Sequence, residues 1–106
     1  MGSFVIAVYK PRPGKQAELE AVVARHWPVL RNQNLITERP AYIMRAADGT
    51  IIEVFEWLSL QAIDDAHTNP EVQKLWTEFG EVCEYVPIGS LPEAQHPFSD
   101  FEAVTR

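Results

Sequence analysis

The chain has 106 residues, of which 46% are hydrophobic and 23% charged, and this composition predicts one globular domain rather than a disordered segment. Its formal net charge of −6 argues against nucleic acid, anionic membranes and polyanionic substrates as partners, because phosphate binding needs a basic surface. Cys83 is the only cysteine, which excludes an internal disulfide and argues against a cysteine-based metal site.

The first residues, MGSFVIAVYKPRPG, lack the basic segment and the long apolar run of a signal peptide. No stretch of the sequence approaches the roughly 20 apolar residues of a membrane span. We therefore expect a cytoplasmic protein without a membrane partner.

A strand and a helix are predicted first. The run FVIAVY, residues 4–9, is β-branched and aromatic and predicts a strand that is apolar on both faces. From Lys15 to about Arg31 the apolar residues follow a helical period. Pro28 removes one hydrogen bond of that helix, so we expect a kink or an early end there. The predicted apolar stripe consists of Leu19, Val22, Val23, His26, Trp27 and Leu30.

A β-hairpin is predicted next, in RPAYIMRAADGTIIEVFEW. Two strand-like runs flank Asp48-Gly49, which is typical of a two-residue type I′ turn. With that turn Ala47 pairs with Thr50, and Tyr42 lies opposite Phe55. One face of the sheet then carries Tyr42, Met44, Glu53, Phe55 and Trp57, and the other carries Ile43, Arg45, Ile52, Val54 and Glu56.

Two further helices and a last strand follow. Ser59 is the predicted N-cap of a helix that ends at Ala66 or His67, and TNPE starts the next helix with Thr68 or Asn69 as its cap. EYVPIGS predicts a last strand, and Pro87 within it requires an edge position. The second helix has the apolar stripe Val72, Leu75, Trp76, Phe79, Val82 and Cys83.

The order βαββαβ predicts an α+β, ferredoxin-like domain with a four-stranded antiparallel sheet over residues 1–91, with strands two and four at the edges. The helices cover one face of the sheet, and no predicted element remains for the other apolar face. We therefore expect a homodimer that packs sheet against sheet. The tail, residues 92–106, is rich in turns but keeps Phe98, Phe101 and Val104, so we expect it to pack on the domain or on the partner subunit.

Three segments resemble the antibiotic biosynthesis monooxygenase-like proteins of the dimeric α/β-barrel superfamily. They are YKPRPGKQAELEAVV, the Asp48-Gly49 hairpin and EVFEWLSLQAIDDAHTNPEV, with its spacing of Ser59, Ala62 and His67; the resemblance covers roughly residues 4–90. It implies a homodimeric α/β barrel with a ligand cleft between the sheet and the helices of each subunit. It also implies cofactor-independent oxygenation of hydroxyaromatic molecules, isomerisation or haem degradation. Haem degraders of this kind use an asparagine on the first strand, which FVIAVY lacks.

His26, His67 and Glu53 are the candidate catalytic residues. By helical phase, both histidines point toward the sheet, where a neutral imidazole could take a proton from a bound phenol or enol. The alternative is a core histidine whose ring nitrogens are satisfied by backbone or water. Glu53 lies on an aromatic strand face and could act as an acid or base, or could instead pair with an arginine such as Arg39 or Arg45.

The candidate substrate-binding residues are aromatic and could equally be core. Tyr9 and Tyr85 are weaker candidates for a phenolic donor. The three histidines show no metal-ligand spacing, so no metal is expected, and the resemblance to cofactor-independent oxygenases implies that no cofactor is needed. The acidic neighbours of Cys83 are expected to raise the pKa of its thiol, which predicts an unreactive cysteine. The substrate-binding candidates are Trp27, Tyr42, Phe55, Trp76 and Phe79, with Trp57 beside them.

Two functions remain open from the sequence. One is a cofactor-independent monooxygenase-like or isomerase-like enzyme that acts on a small aromatic or enolisable molecule in an apolar cleft. It predicts an enclosed cavity lined by at least one of His26, His67 and Glu53. The other is a non-catalytic ligand-binding or structural dimer, which predicts histidines that are packed or paired.

Overall fold

The structure, a computed structural model, describes residues 2–104. Met1, at the start of the predicted domain, and the last two residues of the predicted tail lie outside the described residues. Two short 3-10 helices span Ile88–Ser90 and Pro92–Gln95. The helices and strands in chain order are β1 (Ser3–Pro11), α1 (Gln16–Asn32), β2 (Tyr42–Arg45), β3 (Ile51–Trp57), α2 (Leu60–Ala66), α3 (Pro70–Val82), β4 (Cys83–Tyr85) and β5 (Glu102–Ala103).

The sheet is antiparallel and has five strands in the order β4-β1-β3-β2-β5. Its first four strands have the predicted ferredoxin-like arrangement, but the predicted total of four strands is wrong. The tail adds β5, whose Ala103 lies opposite Met44, so β2 is not an edge strand along its whole length. The strand β4 is at the edge as predicted, but it ends at Tyr85, before Pro87.

The hairpin between β2 and β3 differs from the prediction by one residue. The Ala46 N–H donates to the Thr50 carbonyl at 2.8 Å, so the loop contains three residues, 47–49, rather than two. Gly49 has a φ of +91°, which suits a three-residue loop whose last residue is left-handed. Consequently Tyr42 lies opposite Val54 and not opposite Phe55. Each residue of β2 therefore lies on the face opposite to the predicted one.

The helices begin where their capping residues predict. The Ser59 hydroxyl accepts a hydrogen bond from the Ala62 N–H at 3.0 Å and caps α2. The Asn69 side chain accepts from the backbone at the start of α3, so Asn69 rather than Thr68 is the cap. The helix α1 continues through Pro28 to Asn32. Among residues 2–104, no helix is both long enough and apolar enough to cross a membrane.

The main core lies between the helices and one face of the sheet, here called the inner face. Glu53 and Phe55 of β3 and Tyr9 of β1 point into this layer, as does His26 of α1. The fold therefore encloses three ionisable side chains, those of Glu53, His26 and Tyr9, within an apolar layer. The core residues include Leu19, Val23, Leu30, Val72, Leu75 and Phe79 from the helices, and Tyr9, Ile43, Ile51, Phe55 and Trp57 from the sheet.

The other face of the sheet, the outer face, is half covered by the tail. A second cluster, built around Val8, Ile52 and Leu91, is joined by Met44, Ile88 and Phe101. The tail, and not a predicted helix or strand, thus covers this half of the outer face. The other half stays open. Its exposed apolar side chains are Phe4, Ile6 and Tyr42, which are 61%, 54% and 68% exposed.

Candidate active site

A cleft of about 450 Å³ opens between the inner face and the helices. The strand β4 pairs only with residues 9–11 of β1, which leaves the earlier part of that edge without a strand partner in the described chain. Side chains from both faces of β1 line the cleft, so it lies along this free edge. It is therefore an open cleft rather than the enclosed cavity that was predicted. The lining consists of Val5, Ile6, Ala7, Val8, Tyr9, His26, Phe55, Trp57, Trp76, Phe79, Tyr85 and Val86.

His26 is buried in the wall of this cleft, with 4% of its surface exposed. Its Nδ1 lies 2.8 Å from Glu53 Oε1, and its Nε2 lies 3.1 Å from Trp76 Nε1. The indole N–H is only a donor, so Nε2 must accept. Neutral His26 therefore carries its hydrogen on Nδ1 and donates it to Glu53.

Glu53, at the middle of β3, is fully buried beneath His26. Its Oε1 accepts from the Tyr9 hydroxyl at 2.7 Å as well as from His26, whereas its Oε2 has no hydrogen-bond partner among residues 2–104. No arginine among residues 2–104 pairs with Glu53. Arg39 bonds to Glu56 and Arg45 to Glu20, each at 2.8 Å, because these side chains lie away from the core.

Tyr9 fixes the orientation of the carboxylate. Burial raises the pKa of the Tyr9 phenol well above its usual range, and the charge of Glu53 and their hydrogen bond raise it further. Tyr9 therefore stays protonated and donates to Glu53 across the physiological range of pH. Sequence reasoning did not place Tyr9 beside Glu53. The signal is strand parity, since Ala7 pairs with Glu53 and Tyr9 lies two residues further on the same face.

The predicted substrate-binding residues separate into two groups. Phe55, Trp76 and Phe79 line the cleft, and both phenyl rings meet His26 edge-on, with centroids 5.4 and 5.0 Å away. Trp27 lies outside the cleft lining and donates its indole N–H to the Arg39 carbonyl at 2.9 Å. Tyr42 lies on the outer face because of the hairpin register, so its predicted place beside Phe55 is wrong.

His67 does not line the cleft. The helix α2 ends at Ala66, so His67 is its C-cap and is exposed, and the predicted inward orientation is wrong. Its Nδ1 lies 2.8 Å from the Ile63 carbonyl, which requires an N–H there. The imidazole packs edge-on against Trp76, with centroids 5.3 Å apart. His67 thus supports the tryptophan that bonds to His26.

The described residues contain no group of three His, Cys, Asp or Glu side chains placed to hold a metal ion. Burial raises the pKa of the Cys83 thiol to about 11, with a smaller increase from Glu84 that Arg12 opposes. The predicted direction of this shift is confirmed, although burial and not the acidic neighbours is its main cause. The thiol is therefore protonated at neutral pH.

The comparisons with known proteins show the fold. No protein-family model matches the chain, and no curated protein matches it. The solved structure of Rv0793 from Mycobacterium tuberculosis is similar, with a TM-score of 0.65 and 23% sequence identity over 82% of this chain and 87% of that chain. This similarity shows a ferredoxin-like α+β fold.

Proposed function

We propose that this protein is an enzyme that abstracts a proton from a small, neutral aromatic or enolisable molecule, as a cofactor-independent monooxygenase or isomerase would. The observation that carries this proposal is His26 in the wall of an aromatic cleft, with the buried Glu53 hydrogen-bonded to its Nδ1. A carboxylate on one imidazole nitrogen directs the other nitrogen to act as a base. The resemblance to antibiotic biosynthesis monooxygenase-like proteins supports the same chemistry.

The cleft lining favours a neutral aromatic ligand. Trp57, Trp76 and Phe79 offer ring faces and edges for stacking. The lining residues, all within 2–104, include no lysine, arginine, aspartate or glutamate, so a ligand carboxylate or phosphate would be left without a charged partner. A volume of about 450 Å³ falls within the ordinary range of ligand pockets.

The chemical step transfers one proton from the ligand to His26 Nε2. The bonding electrons stay on the ligand as an enolate or carbanion, and Glu53 stabilises the imidazolium through the Nδ1 hydrogen bond. In the oxygenase reaction dioxygen is the second substrate, and a CH2 group plus O2 yields a carbonyl group plus H2O through a hydroperoxide. In the isomerase reaction the same proton returns to a different carbon.

Deuterium exchange tests this proton transfer without requiring the natural substrate. We expect the protein to accelerate exchange of the ring hydrogens at C2 and C4 of 1-naphthol in D2O, measured by proton NMR. His26→Gln should lose about 100-fold or more of that rate while remaining folded by circular dichroism. An exchange rate equal in the two proteins would overturn the proposal. Dioxygen uptake, measured with an oxygen electrode, then separates oxygenase from isomerase.

A non-catalytic binding protein is the second candidate, and one observation favours it. Both ring nitrogens of His26 are hydrogen-bonded within the protein, to Glu53 and to Trp76, as in a packed core histidine. This candidate expects 1-naphthol to bind in the cleft with no exchange above the rate in buffer. Binding measured by calorimetry beside the exchange assay distinguishes the two.

We also propose that the protein is a homodimer joined through the open half of the outer face. Ile6 and Tyr42 both pair with Val54, so these three residues form one row across β1, β3 and β2. Phe4 lies two residues before Ile6 on the same face. A row of exposed apolar side chains on a sheet is a surface that a second copy can cover by packing sheet against sheet.

A further inference from the structure

The hydrogen bond between Trp76 and His26 occupies the nitrogen that the proposed function needs. We propose that Trp76 is a latch on His26, and that a ligand reaches Nε2 only by replacing the indole N–H with a hydroxyl donor of its own. This inference rests on the proposed function for the use of the cleft. It assigns Trp76 the role of a positioning and specificity-determining residue.

The geometry makes the two donors mutually exclusive. Nε2 lies 3.1 Å from the indole nitrogen, and both His26 and Trp76 line the cleft. A neutral imidazole nitrogen of this kind has one lone pair, directed in the ring plane, and accepts one strong hydrogen bond. A ligand hydroxyl that bonds to Nε2 must therefore take the place of the indole.

Loss of the indole without a replacement carries a penalty. His26 is only 4% exposed, so an Nε2 without a donor is a buried acceptor left unpaired. A hydroxyl ligand removes this penalty because it exchanges one hydrogen bond for another. A ligand of the same shape that has no donor does not, and it cannot reach the base nitrogen without leaving it unpaired.

The surroundings of Trp76 allow its indole to move on the exposed side of α3 only. Leu75 and Phe79 on α3 are buried in the core, whereas Trp76 is partly exposed. Trp76 also packs against the core, and its two aromatic neighbours among residues 2–104 are the buried His26 and the exposed imidazole of His67. The indole can therefore shift toward His67 while the buried residues of α3 stay in place.

A pair of probes that differ in one hydrogen-bond donor tests the latch. 1-Naphthol has the hydroxyl, and 1-methoxynaphthalene has nearly the same shape without it. In Trp76→Phe, Nε2 has no indole donor, so we expect 1-naphthol to bind about 10-fold tighter or more than to the wild type. We expect 1-methoxynaphthalene to change by no more than about two-fold. Calorimetry gives both dissociation constants.

Trp57→Phe is the matched control. Trp57 lines the same cleft, and among residues 2–104 its indole makes no hydrogen bond to His26. The substitution removes similar aromatic area, so both probes should weaken together and their affinity ratio should stay at the wild-type value. The ratio separates loss of the latch from a change in cleft size.

Each outcome decides between the proposals. The affinity for 1-naphthol divided by the affinity for 1-methoxynaphthalene should be higher in Trp76→Phe than in the wild type. A ratio equal to or below the wild-type ratio overturns the latch and leaves the proposed function standing. Failure of both probes to bind the wild type overturns the proposed function, and the latch with it. NMR of the wild type gives a test without substitution. The Trp76 indole N–H signal should move on addition of 1-naphthol and stay in place with 1-methoxynaphthalene.

Discussion

Most of the hydrogen bonds within the site are made by one side chain, that of Glu53. It is fully buried, and one of its oxygens accepts hydrogen bonds from both Tyr9 and His26. His26 is neutral, so loss of the Glu53 carboxylate would leave the His26 N–H and the Tyr9 hydroxyl as buried donors without an acceptor, which typically costs about 1–3 kcal/mol. The residue is therefore expected to matter for stability as well as for catalysis.

Glu53→Gln keeps the shape of the side chain and removes its charge. We expect a loss of about 1–3 kcal/mol in the free energy of unfolding, measured with urea, because the new amide N–H2 group lies buried without an acceptor. The ring-hydrogen exchange of 1-naphthol should fall as well, since a neutral amide stabilises the His26 imidazolium poorly.

Glu56→Gln is the control on the same strand. Glu56 points to the opposite face and pairs with the exposed Arg39, so its substitution should cost about 1 kcal/mol or less. Equal losses of stability in the two variants would contradict the account of Glu53.

Cys83 predicts a dependence of stability on alkaline pH. Burial raises its pKa to about 11 from the ordinary 9.0, so above pH 9 the unfolded chain releases a proton that the folded chain still holds. The stability contributed by the protonated thiol is therefore complete below pH 9 and is lost as the pH rises through 11.

Cys83→Ala tests this dependence and cancels the effect of Tyr9, which both proteins share. The difference in free energy of unfolding, wild type minus variant, should be constant below pH 9 and should decrease between pH 9 and 11. Urea denaturation at each pH measures it. A difference that stays constant to pH 11 would count against the buried thiol.

At the scale of elements, two glycines respond to alanine in opposite directions. Gly49 closes the hairpin with φ +91°, and a Cβ there would lie 2.9 Å from the Gln16 side-chain oxygen. Gly49→Ala should therefore destabilise the protein by about 1 kcal/mol or more, mainly through the strained backbone. Gly80, inside α3, has open space around its position, and Gly80→Ala should stabilise by about 0.5–1 kcal/mol. Thermal unfolding of both variants checks the two signs, and a stabilised Gly49→Ala would contradict the three-residue loop.

The elements that could be predicted from the sequence are those fixed by local chemistry. The apolar stripes of α1 and α3 and the caps Ser59 and Asn69 depend on neighbouring residues, and the structure confirms them apart from three stripe positions. Trp27 and Trp76 are only partly buried, and Cys83 lies in β4. The hairpin register depends on whether Asp48-Gly49 closes a loop of two or three residues, and both loops use glycine. One residue of difference moved Tyr42 to the other face.

The parts that the sequence could not predict depend on tertiary contacts. The strand β5 has only two residues and forms because it pairs with Met44 and Arg45, so no local sequence pattern predicts it. The helical period of α2, continued to His67, would point this side chain toward the sheet. The helix ends at Ala66, however, so the period does not set the direction of the His67 side chain. By contrast, strand alternation alone predicted that Glu53 and Phe55 share one face of the sheet, and the structure shows that this is the inner face.

For the whole molecule, the half-covered outer face decides the assembly. The tail packs over Val8 and Ile52, so sheet-to-sheet packing of two complete faces is not possible with this tail in place. The open half, with Phe4, Ile6 and Tyr42, is the surface left for a second copy. The interface of the proposed homodimer is therefore smaller than an interface between two sheets without covering tails.

Tyr42→Glu tests the dimer without altering the cleft lining. We expect the wild type to sediment as a dimer at micromolar concentration and the variant as a monomer, because the dimer would bury an unpaired charge. Leu60→Glu is the control, since Leu60 is 73% exposed on α2, and it should remain dimeric. A monomeric wild type, or the same mass for both variants, would contradict the proposed interface.

The central claim is that the Nε2 atom of His26 meets the ligand. NMR of protein labelled with 15N in its histidines, titrated with 1-naphthol, tests it most directly. We expect the largest change at His26 Nε2 and no change at His96, which is exposed on the tail. A His26 signal that stays in place through the titration, or a largest change at His67, would contradict the claim.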